Sequence, residues 1–475
     1  MRAAHPVIRR SRVWPGTHGG THRLLSRQRS YWLREALADD PGEPCPPLAG
    51  DASADVLIVG GGYTGMWTAH FIKERDPGAT VVLVEQDTCG GGPSGRNGGF
   101  VNDLWEEIET LIDAVGEQPA VATCEISERS VQEIGAWCKA HRVDAWFDQV
   151  PHIGVSASSG QDGAWLEWLR TMERLGCSAG RLRELTPPDV QRLCRSPVFR
   201  GGILVERAAT VQPARLARGL RRVILEQGVR VYERTPVRRF RGGRSVEAET
   251  PGGRIRAGQA VLGVNAWASQ WRQFRRLILP RASYIVLTAP APRRLEEIGW
   301  TGGQGIYDFR TSLHYLRTTP DGRIAFGGAS SRAGLGTGMG RRLHYDPASV
   351  EKLTGDLGRM FPEFADVGID AAWGGPIDVS PLHVPFFGTL PSGTVHYGLG
   401  YTGGGVGPCH LGGKILSGMV TRADDEYTRL PLVGLEPKPF PPEPLLSIGA
   451  LLTHEAIVRR DDAQDRELLP NPLID

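Results

Sequence analysis

The chain has 475 residues, of which 40% are hydrophobic and 23% charged, and its formal net charge is +2. This composition is typical of a soluble globular protein, and the near-zero charge disfavours a nucleic-acid partner, since such partners favour clustered basic surfaces. No run approaches the roughly 18 to 20 apolar residues of a membrane span, so we expect no membrane partner.

The seven cysteines form no CxxC pair, which argues against a zinc ribbon or a redox dithiol. We therefore expect that the thiols are reduced and that the protein is cytoplasmic, and we expect no metal site. Residues 1–29 lack the apolar stretch of a secretory signal, and we expect a disordered tail or an extension upstream of the true start. The sequence carries no signal that distinguishes a monomer from an oligomer.

A short helix and a proline-rich lead-in are predicted over 30–50. Two buried strands follow, over 55–60 (DVLIVG) and 80–85 (TVVLVE), with a helix over 64–75 between them. This βαβ order predicts two parallel neighbouring strands.

Helices and short strands alternate through the rest of the chain. Helices are predicted over 106–141, 163–176, 187–195, 213–227 and 348–360, and a last one over 412–419. Strands are predicted over 202–206, 229–233, 237–241, 245–250, 254–256, 259–264, 284–289, 313–318, 323–328, 373–375 and 395–400. The GG and DG dipeptides between several of them favour antiparallel hairpins.

The run GGGYTG at 60–65 fits the GxGxxG pattern of a dinucleotide site, directly between a predicted strand and helix. Gly60 allows the tight turn, Gly62 lets a pyrophosphate approach the backbone, and Gly65 lets the helix pack on the sheet. The helix start at Tyr63 and Thr64 offers free N–H groups to phosphate.

Glu85 ends the second strand, 20 residues after Gly65, and Gln86 follows it. A carboxylate at this position accepts hydrogen bonds from ribose hydroxyls and would repel the 2′-phosphate of NADP. These two motifs are compatible with either NAD or FAD as the cofactor.

A second glycine-rich run, SGRNGG at 94–99, favours FAD, because a nicotinamide cofactor needs only one such loop while the longer FAD needs further backbone donors. VLGVNAW at 261–267 and GLGYTGGGVGP at 398–408 fit the same need. The second of these opens a helix, whose dipole would stabilise the negative charge of reduced flavin.

Several segments together resemble the FAD-dependent amine and amino-acid oxidoreductases of the D-amino-acid oxidase family, and within it the gamma-glutamylputrescine oxidoreductase-like branch. The resemblance covers about residues 30–445. The matching segments are SYWL at 30–33, DVLIVGGGYTG at 55–65, SGRNGGF at 94–100, TVQPARLARGL at 210–220, VLGVNAW at 261–267, YLRTTPDGRIAFGG at 315–328, WGGPIDVS at 373–380 and GYTGGGVGP at 400–408.

The resemblance implies an α/β fold with a Rossmann-like FAD-binding domain of the glutathione-reductase type and a second α+β substrate domain on an antiparallel sheet. The FAD domain would comprise 51–105, 200–275 and 370–430, and the substrate domain 106–199 and 280–369, between a lead-in (1–50) and a C-terminal extension (431–475). It also implies adenine contacts at Val237 and nucleotide contacts at Asn265 and Ala266. The full set of predicted cofactor residues is Gly60, Gly62, Tyr63, Thr64, Gly65, Glu85, Gln86, Ser94, Gly95, Arg96, Asn97, Gly98, Gly99, Val237, Asn265, Ala266, Gly403, Gly404, Gly405, Val406 and Gly407.

On the substrate side, relatives that oxidise free α-amino acids often hold the carboxylate with an Arg before a Pro, where this chain has GGP at 374–376. The resemblance therefore favours an amine without an adjacent carboxylate. We predict Tyr315, His383 and Arg310 as catalytic residues, with Arg310 able to hold an anionic group. Asn102 or Asp103 is a further hypothesis for substrate contact.

The expected reaction oxidises a C–N bond of a small amine or amino-acid derivative to an imine, which water hydrolyses, with electrons passing to O₂ or another acceptor. A flavin oxidase or dehydrogenase that tailors a secondary metabolite at another bond is the alternative. Neither Cys89 nor Cys409 fits a flavin attachment site, so we predict non-covalent FAD.

Overall fold

The computed structural model describes residues 29–329 and 338–466. Most of the predicted tail over 1–29, and the last nine residues of the predicted C-terminal extension, lie outside this range. The helices are α1 Tyr31–Asp39, α2 Tyr63–Arg75, α3 Ile108–Val115, α4 Glu117–Ala140, α5 Leu166–Arg174, α6 Pro187–Leu193, α7 Pro213–Glu226, α8 Pro292–Ile298, α9 Pro347–Met360, α10 Val406–Thr421 and α11 Leu445–Asp465. The strands are β1 Ala52–Val59, β2 Val81–Val84, β3 Phe100–Val101, β4 His152–Val155, β5 Leu182–Leu185, β6 Gly202–Val205, β7 Ala209–Thr210, β8 Arg230–Tyr232, β9 Arg239–Arg241, β10 Val246–Thr250, β11 Gly253–Leu262, β12 Leu279–Thr288, β13 Gly305–Asp308, β14 His314–Thr318, β15 Ile324–Ala329, β16 Ile369–Val379, β17 Phe386–Thr389 and β18 Val395–Leu399.

The first large sheet has the order β17-β18-β11-β1-β2-β8, with β10 paired to β11 and β9 paired to β10. Strands β18, β11, β1, β2 and β8 are parallel, as the predicted βαβ unit requires. All four residues of β2 are buried, which matches the unbroken apolar run VVLV and a sheet covered on both faces. Helices α2, α4, α7 and α10 pack together on this sheet.

The second large sheet has the order β16-β12-β15-β14-β13-β4-β6-β5. Every neighbouring pair in it is antiparallel except β13 with β4. The α/β class, with a parallel Rossmann-like sheet beside a mainly antiparallel one, is therefore confirmed.

Several predicted elements have different bounds in the structure, among them the helix predicted over 106–141, which is divided into α3 and α4 at Gly116. In two places packing overrides the local pattern. The separate strands predicted at 254–256 and 259–264 form the single strand β11, which pairs with β1 from Ile255 to Leu262. Helix α10 begins at Val406 rather than 412, although it is rich in glycine. A Cβ atom on its Gly413 would lie 2.5 Å from Trp67 Cβ, so the missing side chains let α10 approach α2 closely.

The sequence pattern predicts the last helix over 412–419, but the structure has a further helix, α11, after it. It falls in the predicted C-terminal extension, and its last turns contact the second sheet through buried Asp461. The predicted domain boundaries stay a prediction, with one qualification. Strands β6 and β16 fall in segments predicted for the FAD domain, yet both pair within the second sheet.

Across 29–329 and 338–466, no helix combines the length and apolarity needed to cross a bilayer. All seven cysteines lie in this part of the chain, buried and without disulfide bonds.

Candidate functional site

A cavity of about 1220 Å³, including its open mouth, lies where the parallel strands of the first sheet end. Ligands of open α/β sheets bind in such crevices beyond the carboxyl ends of the strands. The last residues of β1 and β2 and the turns after β11 and β18 all reach it. Its lining is Val59, Gly60, Gly62, Tyr63, Thr64, Val84, Glu85, Gln86, Gly92, Pro93, Ser94, Asn97, Thr235, Pro236, Val237, Gly263, Val264, Asn265, Trp267, Ile377, Asp378, Tyr401, Gly403, Gly405 and Cys409.

The first glycine run brings two backbone segments into close contact beside this cavity. Gly60 has a φ of +113°, and a Cβ atom there would lie 2.3 Å from the carbonyl oxygen of Gly263. A Cβ atom on Gly65 would lie 2.0 Å from Gly60 O, so only glycine lets α2 start so close to β1. Gly60 and Gly62 line the cavity, while Gly65 serves the packing behind it.

The first turn of α2 is fixed by three different parts of the chain. Ser94 Oγ accepts from Tyr63 N at 2.9 Å, and the Tyr63 hydroxyl donates to Pro213 O at 2.7 Å. Thr64 Oγ1 lies 3.1 Å from the Tyr401 hydroxyl. The helix start is therefore held in place before any phosphate group binds, and the Tyr63 N–H, predicted to be free, is already paired with Ser94.

The Glu85 carboxylate is held between two backbone donors and lines the cavity. It accepts from Gly61 N at 2.8 Å and from Asp87 N at 2.9 Å. Burial raises the pKa of Glu85 to about 7, against the lowering effect of these two hydrogen bonds. Gln86 and Val237 line the same region, where the prediction puts adenosine.

The second glycine run contributes to the cavity through Ser94 and Asn97 only. The glycines of this run lie behind the cavity wall and allow close packing instead. A Cβ atom on Gly95 would lie 2.2 Å from Gly90 O, and one on Gly98 would lie 2.8 Å from the Tyr315 ring. A Cβ atom on Gly99 would lie 2.1 Å from Val211 O. The spacing of this run therefore reflects packing as much as ligand contact.

Buried donors from distant segments hold the carbonyl groups of this run. Ser30 Oγ donates to Gly95 O at 2.6 Å, Trp32 Nε1 to Asn97 O at 3.1 Å and Trp373 Nε1 to Arg96 O at 2.8 Å. The SYWL segment at 30–33 thus supports the cavity wall from behind.

Arg96 lies in the same run but does not line the cavity. Its buried guanidinium donates to Gly91 O at 2.8 Å and to Gly374 O at 3.1 Å. Burial lowers the pKa of Arg96 to about 10. Arg96 therefore joins the second glycine run to strand β16 rather than facing a ligand.

The opposite wall carries unpaired polar atoms. Asn265, at a φ of +44°, donates from Nδ2 to Asp378 Oδ1 at 2.9 Å, and its own Oδ1 is buried without a partner. Trp267 Nε1 is also buried and unpartnered, and both residues line the cavity. Unpaired buried polar atoms are costly, so they fit a ligand with hydrogen-bonding groups along its length, such as FAD. Ala266 is fully buried between them and does not line the cavity.

The third glycine-rich loop forms the end of the cavity nearest α10. Gly403 and Gly405 line it, while Gly404, Val406 and Gly407 do not. A Cβ atom on Gly407 would lie 2.0 Å from Asn102 O, so that glycine lets α10 pack against the segment after the second run.

Two residues that the sequence reasoning did not single out complete this wall. Asp378 is fully buried and accepts from Gly400 N at 2.7 Å. Burial raises the pKa of Asp378 to about 7. Trp267 is the second of these residues. Asp378 lies in the matching segment WGGPIDVS and Trp267 in VLGVNAW, and no local pattern in either segment indicates which side chain faces inward.

The structure does not bring the three predicted catalytic residues into the cavity lining. Tyr315 lies behind Gly98 on the second sheet, where its hydroxyl is 2.7 Å from Ser283 Oγ. Burial raises the pKa of Tyr315 to about 12. His383 is exposed, in a turn after β16 at a φ of +59°.

Arg310 lines a different, smaller cavity and belongs to a buried ionic cluster. Its guanidinium lies 3.2 Å from Asp465, 3.8 Å from Asp461 and 3.8 Å from Asp356. Charges in this position are compensated within the protein, so the cluster anchors α11 and has no need of a substrate anion.

The buried thiol of Cys409 lines the cavity 3.2 Å from Thr64 Oγ1. Burial raises its pKa to about 12, which keeps the thiol protonated. Cys89 is fully buried and outside the lining.

A parallel sheet with a GxGxxG turn, an acid after the second strand and a cavity beyond the strand ends defines a dinucleotide-binding protein. The chain belongs to the DAO family of FAD-dependent oxidoreductases, whose family model matches residues 55–419. It is thus an FAD-dependent enzyme, and its cofactor is FAD.

Two bacterial relatives match most of the chain. It is 28% identical over 396 residues to gamma-glutamylputrescine oxidoreductase of Escherichia coli (strain K12), covering 82% of this chain and 89% of the relative. It is 26% identical over 389 residues to the probable oxidoreductase OrdL of Haemophilus influenzae, covering 80% and 86%.

Solved structures share the fold at lower identity. Glycine oxidase from Geobacillus kaustophilus matches with a TM-score of 0.66 at 17% identity, over 81% of this chain and 99% of that one. L-proline dehydrogenase from P. horikoshii matches with a TM-score of 0.63 at 17% identity, over 82% and 96%. At these identities the likeness concerns the fold alone.

Proposed function

We propose that this chain oxidises a C–N bond of a small amine or amino-acid derivative to an imine, which water then hydrolyses. The observation that carries the proposal is the FAD-type cavity in a chain similar over most of its length to gamma-glutamylputrescine oxidoreductase. Bound FAD supplies the chemistry by accepting the two electrons taken from the amine. The chain's own residues hold the cofactor and orient the amine.

The proposed cofactor contacts follow the cavity from one end to the other. Glu85 and Val237 would hold the adenosine half, and the start of α2 the pyrophosphate. Asn265, Trp267 and the loop with Gly403 would hold the remaining length. We propose that FAD binds without a covalent bond, since the Cys409 thiol stays protonated and is already paired with Thr64.

The proposed substrate has no carboxylate next to its amine. At position 375, directly before Pro376, where an arginine would hold such a carboxylate, this chain has glycine and so offers no side chain to an anion. Arg96, whose Cβ would lie 3.4 Å from a Cβ atom on Gly375, is already bonded to two backbone carbonyls. Both features favour amines whose anionic group, if any, is distant.

Tyr315 is the catalytic residue that the fold supports best. It pairs with Gly327 on the second sheet and packs on Gly98 and Phe100, next to the second glycine run. A phenol that stays protonated in this position orients an amine by hydrogen bonding and takes no proton from it.

A panel of amines mixed with the purified flavoprotein tests the proposal. The panel would include gamma-glutamylputrescine, putrescine, sarcosine, glycine and L-proline, with O₂ uptake and reduction of an artificial dye measured in parallel. We expect the amines without an adjacent carboxylate to turn over at least about tenfold faster than glycine, with a carbonyl product. Turnover of none of them, while the flavin stays redox-active towards dithionite, would contradict the amine assignment.

A further inference from the structure

The two walls of the flavin cavity are joined by one buried carboxyl group, that of Asp378. Its Oδ1 accepts from Asn265 Nδ2 at 2.9 Å, and its Oδ2 accepts from Gly400 N at 2.7 Å. Asn265 follows β11 and Gly400 follows β18, so Asp378 connects the turns after two parallel strands. Asp378 itself comes from β16 of the other sheet.

Asp378 also determines which end of the Asn265 amide faces the cavity. The ionised carboxylate, which prevails above the Asp378 pKa of about 7, only accepts hydrogen bonds, so in that form the amide must turn its NH₂ group towards Asp378. Asn265 Oδ1 is then directed away from Asp378, and it is buried with no partner in a residue that lines the cavity. An unpartnered buried acceptor of this kind calls for a donor on the ligand.

The backbone is strained at Asn265 and at Thr402, whose N–H also bonds to Asp378, which indicates that these contacts are enforced. Asn265 has a φ of +44° and Thr402, two residues after Gly400, a φ of +50°. Non-glycine residues occupy this region only where surrounding contacts compensate for the cost. The hydrogen bonds to Asp378 are such contacts.

We propose that Asp378 is a positioning residue of the FAD site: it orients Asn265 so that Oδ1 accepts a hydrogen bond from a hydroxyl or ring N–H group of the cofactor. This inference rests on the proposed placement of FAD in the cavity but not on the identity of the substrate. It assigns Asp378 no contact with the reacting atoms.

The exchange of two side chains tests this orientation directly. In Asp378→Asn, the new amide must keep its oxygen towards Gly400 N and turn its NH₂ group to Asn265. The Asn265 amide then flips and presents a donor to the cavity instead of an acceptor. In the double variant Asp378→Asn with Asn265→Asp, the new carboxylate accepts from the new amide at position 378 and again presents an oxygen to the cavity.

The measurement is FAD binding to the apoprotein, followed by quenching of FAD fluorescence, without any amine. We expect Asp378→Asn to weaken FAD binding by about 30-fold, as for a buried hydrogen bond replaced by two facing donors. The double variant should return to within about threefold of the wild type. Asn265→Ala should weaken binding by about tenfold. It should also lower the melting temperature, because alanine is strained at a φ of +44° and Asp378 loses a donor.

Asp461→Asn is the matched control, because Asp461 is equally buried but accepts from Thr311 N and Ser312 N, outside the cavity. It should lower the melting temperature and leave FAD affinity unchanged. Wild-type affinity in Asp378→Asn, or a double variant no better than the weaker single one, would overturn the inference.

If Asp378→Asn does not fold, Asn265→Ala tests the inference in its place. FAD affinity of Asn265→Ala equal to that of the wild type would also overturn the inference. Because none of these readouts involves an amine, failure of the amine assignment would leave them unaffected.

Discussion

Glu85 illustrates how much of this site depends on a single side chain. Its carboxylate is already held by the N–H groups of Gly61 and Asp87, so it is oriented before any ligand binds. Burial raises its pKa to about 7, which puts its charge change near neutral pH. Ribose hydroxyls donate to the ionised form, so FAD binding should lower this pKa and be linked to the loss of a proton.

From this we predict a pH-dependent FAD affinity. The ionised carboxylate prevails above the apoprotein pKa of about 7, so affinity should be highest there and fall as pH decreases through 7. The decrease should approach about tenfold per pH unit. Glu85→Gln should bind FAD about tenfold more weakly at pH 8 and show a flatter profile below pH 7. An identical slope in wild type and variant, measured by fluorescence titration, would show that another group is responsible.

Tyr315 provides a second prediction for a single residue. Its hydroxyl is 2.7 Å from Ser283 Oγ, and its ring packs on Gly98. Tyr315→Phe should lower kcat/KM for the reactive amine by about threefold to tenfold without changing FAD affinity, because one neutral hydrogen bond is lost. Tyr284→Phe is the control, since Tyr284 follows Ser283 on β12 and faces the opposite side of the sheet. Equal effects of both changes would argue against a role for Tyr315 at the substrate.

The residue contacts that could be predicted are those set by local sequence. Gly60, Gly62 and Glu85 form a motif with fixed spacing, and the structure brings them to one cavity. The pairing of Asn265 with Asp378 spans 113 positions and joins two sheets, and no local pattern encodes it. The prediction that Arg310 holds an anionic group requires a guanidinium without carboxylate partners. In the structure three carboxylates surround it, and they come from α9 and α11, far along the chain.

At the level of elements, the start of α2 depends on the absence of side chains. A Cβ atom on Gly65 would lie 2.0 Å from Gly60 O, where only backbone could move to make room. Gly65→Ala should therefore lower the free energy of unfolding by about 3 kcal/mol and reduce the flavin content of the purified protein. Thermal unfolding and the ratio of flavin to protein absorbance measure both effects.

Gly358 is the matched control for this change, because it also lies in a helix, α9, and a Cβ atom there would meet nothing within 4 Å. Gly358→Ala should leave flavin content unchanged and raise stability by about 0.5 to 1 kcal/mol through helix propensity. Similar losses in both variants would contradict the packing explanation.

The anchoring of α11 gives a further prediction for an element. Asp461 is fully buried, accepts from Ser312 N at 3.0 Å and lies 3.8 Å from Arg310. Asp461→Ala removes the buried acceptor of Thr311 N and Ser312 N and one of the three carboxylates around that guanidinium, and it should lower the free energy of unfolding by about 3 kcal/mol. Chemical denaturation measures this loss. A change of less than about 0.5 kcal/mol would mean that α11 adds little to stability.

Elements with strong local signals were predicted well. The βαβ unit and helix α7 agree with the structure to within a few residues. Helix α11 lies in the predicted C-terminal extension, where the sequence pattern predicts no helix, and its apolar residues Leu445, Ile448, Leu451 and Leu452 remain exposed. Tertiary anchoring at its far end, rather than amphipathic burial along its length, holds this helix in place.

For the whole molecule, the FAD half could be predicted further than the substrate half. The proposed cofactor contacts come mainly from turns that follow strands, and glycine marks those turns in the sequence. The proposed substrate contact, Tyr315, lies on the face of a sheet, where ordinary strand residues face one side or the other according to register alone. The substrate therefore has to be found by experiment.

An anaerobic titration shows whether an amine reduces the flavin. The holoprotein is mixed without O₂ with increasing amounts of gamma-glutamylputrescine or another reactive amine from the panel, and the flavin absorbance band is followed. We expect one equivalent of amine to bleach one equivalent of flavin and to give one equivalent of a carbonyl product after hydrolysis. Flavin that stays oxidised under excess of every amine, yet is bleached by dithionite, would contradict the amine assignment.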